Sequence, residues 1–315
     1  YTKDFKKELH IPKDALYKGK PRSRIAYLCA SKRMDWEPVA WTEFDGKNIV
    51  FTDIQKGPVM RVATYERGRL RFWTDPFEIN VSNEFHFFTP SDSVQDVTLF
   101  AKYTLRADEM FLNRMIGGTF EGSNDPDFRE KEVLYLINEK PKRLQTVVQS
   151  YSSKSYRYVR YIGPKDSHCN IAEAAFYTPN DTASLKGKVI GTPGCFQKDG
   201  SHEYTNVFDG DVTSSFDYIE PSGGWSGLDL GTPKQIGSIV YTPRSYDNYI
   251  RSGDDYELFY CARRNNWKSL GDQRSKADSL IYIKIPVNAL LLLCNNTRGI
   301  QERIFVYTAA EQIWK

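Results

Sequence analysis

Three residue types that cooperate in nucleophilic catalysis stand side by side at His168-Cys169-Asn170. A cysteine and a histidine form a relay only when their side chains converge, and neighbours in a strand or turn point different ways. No catalytic role is therefore expected for this trio. The chain also lacks G-x-S-x-G, H-E-x-x-H, a Walker loop and G-x-G-x-x-G. Its 40 Asp and Glu residues include enough carboxylates for a glycosidase pair, but their spacing selects no two of them. The five cysteines (Cys29, Cys169, Cys195, Cys261 and Cys294) contain no C-x-x-C pair. They are too few and too scattered for a disulfide framework or a zinc site, so buried free thiols are expected. No catalytic residue emerges, and the chain is expected to bind rather than to turn over a substrate.

Aromatic residues make up 14% of the chain, with 20 Tyr, 18 Phe and 6 Trp. These side chains suit pleated, half-buried surfaces and so argue for β structure, and they also form stacking faces for sugars. With 43 basic and 40 acidic residues the net charge is +3, and the basic residues are scattered. That balance gives no electrostatic case for nucleic acid. The longest apolar run, Ala289 to Cys294, fits one buried strand and is far too short to cross a membrane as a helix. The chain begins at Tyr1, and a mature or trimmed form, with any export signal removed, is expected.

The elements that must position any site read as strands. Within residues 1–104, Ile25–Ala30, Val39–Phe44, Asn48–Asp53, Val59–Tyr65, Leu70–Trp73 and Asp96–Tyr103 are rich in β-formers. Asp45-Gly46 and Arg67-Gly68 read as hairpin turns between them, because glycine accepts positive φ. No stretch there holds a helical period for three turns, so a small β-sandwich is expected. Residues 105–182 contain Tyr156–Ile162, in which Tyr156, Tyr158, Arg160 and Ile162 alternate with Arg157, Val159 and Tyr161 as a strand requires. Residues 183–315 give strands at Gly227–Leu230, Ile236–Thr242, Tyr256–Cys261, Ile281–Ile285, Ala289–Cys294 and Ile304–Tyr307. The fold class is all-β, as tandem sandwiches. An echo links the last two segments: Glu173-x-x-Phe176-Tyr177 against Glu302-x-x-Phe305-x-Tyr307.

Several of these words resemble known families. Phe44-Asp45-Gly46-Lys47, Val50–Ile54 and Gly57 are similar to the carboxypeptidase-regulatory-like or prealbumin-like sandwiches. Asn206–Asp211, Trp225–Gly231, Ile239–Arg244, Tyr256–Tyr260 and Glu302–Phe305 resemble, in order, the discoidin or coagulation factor V/VIII type C family. That resemblance implies a complete galactose-binding-like jelly roll over residues 183–315. Phe120–Asp125 and Tyr156–Tyr177 resemble the back half of the same module, so residues 105–182 look like a partial copy, either degenerate or completed by another part of the chain. The whole order of segments is similar to the C-terminal region of secreted transglutaminase-like, peptide N-glycanase-like proteins of gut bacteria. It implies a secreted, periplasmic or cell-surface location and a catalytic core outside this chain.

The resemblance also implies two sites. Asp209, Asp211, Ser214 and Glu302 correspond to the oxygen donors of a structural Ca²⁺, which takes six to eight oxygens; the alternative is a plain Asx-turn at Asp209-Gly210. His202, Arg244, Asn248 and Tyr249 correspond to ligand-binding residues for a glycan. A planar cation and an amide grip adjacent hydroxyls there, while an aromatic face covers the apolar side of a sugar. The alternative is that Arg244 pairs with a neighbouring Asp and the tyrosines pack on the sandwich edge. Carbohydrate recognition on a glycan or glycoprotein is the expected function, with spacer or protein-interaction modules as a second possibility and an enzyme with an unrecognised site as a third.

Overall fold

The computed structural model describes residues 5–19, 22–44, 48–103, 106–264, 266–299 and 303–315. Among them strands dominate, and regular helix is confined to α1 (Arg106–Arg114) and two short 3-10 segments. The all-β expectation holds. The chain divides into two units: Thr104–Tyr249, and a second built from Tyr1–Tyr103 together with Ile250–Lys315.

The unit Thr104–Tyr249 holds eight strands: β1 (Thr119–Ser123), β2 (Lys131–Leu136), β3 (Thr146–Gln149), β4 (Ser155–Ile162), β5 (Ile171–Tyr177), β6 (Lys188–Gly191), β7 (Trp225–Gln235) and β8 (Ser238–Pro243). A five-stranded sheet runs β2-β1-β4-β7-β6, and a three-stranded sheet runs β3-β8-β5. Every pairing is antiparallel. The inner faces meet in one core: Phe120, Val159, Tyr161 and Leu228 from the larger sheet, Ile171, Phe176, Ile239 and Tyr241 from the smaller. Phe120 lies at its centre, with ring centroids 5.4 Å from Tyr241 and 5.1 Å from Tyr161. Two layers joined by interdigitated inward side chains make this a β-sandwich.

The strict alternation expected along Tyr156–Ile162 breaks at one place. The register of β4 against β7 shifts between Tyr156 and Tyr158. There a single residue of β4, Arg157, stands opposite four of β7, residues 230–233, and the ladder is interrupted. Beyond the interruption Tyr156 shares the core with Val159 and Tyr161. Farther along, Arg160 is buried with its Nε donating to Glu121 Oε2 at 2.8 Å, its guanidinium 4.0 Å from the centre of the Phe128 ring. The two strands approach closely at Gly227, where a β-carbon would overlap the Val159 carbonyl oxygen, so no larger residue fits.

The three-segment division is corrected here. Strands β4 and β5, from residues 105–182, hydrogen-bond directly to β7 and β8, from residues 183–249. Residues 105–182 thus share both sheets with the stretch that follows them. Residues 250–315 belong to the other unit, so the module expected over 183–315 is not one body. The cause is long-range pairing, which a linear order of motifs does not reveal.

The other unit pairs Glu37–Glu43, Ile25–Ser31, Val59–Glu66, Phe77–Ile79 and Phe85–Phe87 in one sheet, with Arg69–Phe72 added on Val59–Glu66. A second sheet runs Trp267–Arg274, Asp255–Cys261, Leu291–Asn295, Ile304–Thr308 and Glu311–Trp314. One core cluster, including Cys29, Trp36, Phe72, Cys261, Leu290 and Ile304, contains residues from both stretches of chain. The Arg67-Gly68 turn forms as expected, with φ of 53° and 76° between paired Glu66 and Arg69. The Asp45-Gly46 turn lies outside the described residues. All five cysteines are buried free thiols.

Candidate functional site

A cavity of about 330 Å³ opens in the unit Thr104–Tyr249, lined among others by Phe111, His168, Phe196, His202, Arg244 and Tyr246. Its size falls at the small end of small-molecule pockets. Five parts of the chain build it. Helix α1 supplies Met110, Phe111 and Arg114; the turn after β4 supplies His168; the loop after β6 supplies Phe196, Gln197 and His202; the stretch before β7 supplies Asp217; the end of β8 supplies Arg244 and Tyr246.

Backbone hydrogen bonds stitch these parts together. Phe196 N donates to Asp217 O at 2.8 Å, Asp217 N to His202 O at 3.1 Å, and Tyr218 N to His168 O at 2.7 Å. His168 and Cys169 both take positive φ, 56° and 70°, which turns the chain sharply between β4 and β5. Tyr246 N donates to the buried carboxylate of Asp108 at 3.1 Å, tying the loop after β8 to the start of α1.

A polar chain runs along one wall. Arg114 Nη1 donates to Asn170 Oδ1 at 3.1 Å, Asn170 Nδ2 donates to Asp217 Oδ1 at 2.8 Å, and Arg244 Nη1 donates to Asp217 Oδ2. Asn170 and Asp217 are buried. The Arg244 guanidinium also lies 4.3 Å from the centre of the Phe111 ring, so packing and charge fix its plane together. His168 Nδ1 is 2.9 Å from Tyr218 O, and His202 Nδ1 is 3.3 Å from Ser215 O. A carbonyl oxygen only accepts, so the His168 contact requires a proton on Nδ1, whereas His202 Nδ1 has both the carbonyl and the hydroxyl of Ser215 at 3.3 Å and can donate to one or accept from the other. Phe196 and Tyr246 are 55% and 47% exposed, large apolar faces kept at the mouth. This arrangement offers rigid donors, two imidazole rings and aromatic faces; Cys169, beside His168 in sequence, is buried, and burial raises its thiol far above the usual range.

Two of the four expected ligand-binding residues, His202 and Arg244, therefore line one cavity. Asn248 and Tyr249 do not; they are 3% and 4% exposed. Asp247 takes a φ of 60°, and the residues after it run inward. Tyr249 faces the carboxylates of Asp108 and Glu109, and burial raises its phenol above the usual range. Both lie buried off this cavity, with Asn248 Oδ1 and the Tyr249 hydroxyl oxygen lacking a hydrogen-bond partner among the described residues. Arg244 does pair with a nearby Asp, as the alternative reading had it, yet still faces the cavity. Phe111, Arg114, His168, Phe196, Asp217 and Tyr246 were not anticipated. The acidic first turn (Asp108, Glu109) and basic last turn (Arg114) of α1 carry the signal that would have found that helix.

The expected oxygen-donor cluster is partly assembled. Asp209 Oδ2 accepts from Ser214 Oγ at 2.8 Å and Asp209 Oδ1 from Asp211 N at 2.7 Å, the second being an Asx-turn. Asp211 Oδ1 is taken by Thr213 N at 2.9 Å. Glu302 lies outside the described residues. The carboxylate that meets Asp209 is Glu173, whose Oε1 accepts from Gly210 N at 2.9 Å. Burial first, and then the facing Asp209, push the Glu173 carboxyl up to about 8. Among the described residues neither carboxylate has an ion-pair partner, and no three His, Cys, Asp or Glu side chains converge as a metal site. Two facing carboxylates with a hydroxyl and turn carbonyls nonetheless fit a hard cation, which would draw its remaining oxygens from backbone and water.

Comparison with protein-family models, curated proteins and solved structures finds no match to the chain.

Proposed function

We propose that the unit Thr104–Tyr249 is a non-catalytic carbohydrate-binding module, a galactose-binding-like jelly roll of discoidin type whose back half precedes its front half in the chain. The single observation that carries this reading is the cavity itself. It combines exposed aromatic faces at Phe196 and Tyr246 with an oriented guanidinium at Arg244 and two histidine rings anchored through Nδ1. A sugar presents the complementary surface: an apolar face of C–H groups and a rim of hydroxyls that both donate and accept. In this reading Phe196 and Tyr246 stack on the ring, Arg244 donates to ring or hydroxyl oxygens, His168 Nε2 accepts from a hydroxyl, and His202 Nε2 hydrogen-bonds another. Asp217 and Asn170 orient Arg244 and Arg114.

A Ca²⁺ ion belongs to the same proposal as a structural element. Glu173, Asp209, Asp211 and Ser214 would hold it, and it would neutralise the facing carboxylates beside the loop that ends in Asp217. The chain then serves as an accessory region of a secreted glycan-processing protein.

The test is a glycan array probed with the chain and with Phe196→Ala and Tyr246→Ala. Both side chains are exposed, so stability should change by no more than about 0.5 kcal/mol. Each substitution is expected to weaken binding about tenfold, roughly 1.4 kcal/mol of lost stacking. An array without signal for the unaltered chain would instead favour a spacer or protein-interaction role.

A further inference from the structure

The cavity's charges are unequal, and the excess sits on one residue. Arg244 is neutralised by Asp217. Arg114 is not: its partner is the amide oxygen of Asn170, and among the described residues no carboxylate lies within ion-pair distance of it. Asn170 also binds Asp217 through its amide nitrogen, so its oxygen is held toward Arg114 and the guanidinium is oriented by a neutral group. Glu109, on the same helix, is engaged elsewhere, accepting from Lys140 Nζ at 2.7 Å. A second hollow of about 550 Å³ shares Met110 and Arg114 with the first, so the guanidinium borders both. Glu109, Lys165 and Asp166 also line it; with Glu109 paired to Lys140, and one cation and one anion at Lys165 and Asp166, Arg114 is the surplus charge.

Resting on the carbohydrate reading above, we propose that the ligand is an acidic glycan whose sugar carboxylate is gripped by Arg114. One sugar occupies the aromatic cavity beside Phe196 and Tyr246, and the acidic residue lies at the boundary of the two hollows. Asn170 takes one Nη1 proton, and the remaining N–H groups of the planar guanidinium are free to make the paired hydrogen bonds that a carboxylate accepts. A neutral sugar leaves the charge unanswered. An ammonium at this position would keep the attraction but lose the fork.

The experiment measures affinity for matched pairs of immobilised oligosaccharides, each uronate- or sialate-bearing glycan beside its carboxyl-reduced or unsialylated parent. The acidic member is expected to bind about tenfold more tightly at low salt, a preference that screening shrinks in 1 M NaCl. Arg114→Gln should bring the two members of each pair to equal affinity, the ratio within the pair being the readout. Arg114→Lys should retain part of the preference, which shows that the loss in the glutamine variant is one of charge and not of folding. Equal binding of both members by the unaltered chain, or an acidic preference untouched by Arg114→Gln, overturns the proposal and leaves the carbohydrate reading standing. Failure of every glycan, acidic and neutral, overturns both.

Discussion

Arg244→Ala is expected to cost the unit Thr104–Tyr249 about 3–5 kcal/mol and to remove glycan binding, because it strands a buried charge. Asp217 is 7% exposed and the Arg244 side chain 15% exposed. Without the guanidinium, Asp217 keeps one hydrogen bond from Asn170 and no countercharge. Desolvation of a lone carboxylate outweighs that bond, so the loop carrying Phe196 and His202, tied to Asp217 through backbone bonds, loosens with it. The companion change separates stability from function. Arg244→Met with Asp217→Leu replaces the pair by apolar groups of similar size and should recover most of the lost stability, since burying two charges gains little over burying neither. It should not recover binding. Denaturant unfolding of the single and double variants checks this, and a cost below about 1 kcal/mol for Arg244→Ala would mean that the pair is solvated and orients nothing.

Calcium is expected to stabilise the same unit by about 2.7 kcal/mol at a concentration one hundred times its dissociation constant. The sign follows from Glu173. Its folded carboxyl titrates near 8, above the ordinary glutamate value, because burial and Asp209 disfavour its charge. A carboxyl raised on folding favours the folded state while protonated. In chelator, stability should therefore be greatest below about pH 4.5 as far as this group is concerned, and should fall as pH rises from there to about 8. The group is partly exposed, so after screening the loss is on the order of 1–2 kcal/mol. A bound cation offsets it, and the pH dependence across that window should flatten in calcium. Glu173→Gln removes the repulsion: at pH 8 in chelator it should be the more stable protein, and it should respond weakly to calcium. Calorimetry with and without chelator reads both effects. An identical transition in calcium and chelator would leave Asp209-Gly210 as an Asx-turn and nothing more.

The sequence made the strands legible and their partners illegible. Trp225–Gly231 and Ile239–Arg244 were recognisable words, and β7 and β8 lie over them. What the words cannot specify is which distant strand closes the sheet. Strand β7 pairs with β4, and β8 with β5, so the expected half-copy and the front of the expected complete module form one sandwich. The same effect places a carboxylate that the motif order did not point to. Glu302 and Glu173 sit in echoing motifs, and pairing of β5 beside β8 brings Glu173 to Asp209. At the cavity, His202 and Arg244 were readable because each adjoins a recognisable motif. Phe196, His168 and Arg114 were not, since they come from a loop, a turn and a short helix that no periodicity marks. Asn248 and Tyr249 lie off the cavity for a local reason: one residue with positive φ, Asp247, changes the direction of the chain just before them.

The most direct test of glycan binding at this cavity is hydrogen-exchange mass spectrometry of the full chain with and without a glycan that it retains on an array. Protection is expected in the peptides covering residues 110–114, 196–204 and 243–246, the walls of one cavity contributed by three separate parts of the sequence. Protection confined to other parts of the chain, such as the strands Glu37–Glu43 or Trp267–Arg274, would contradict the assignment and place the glycan on the other unit.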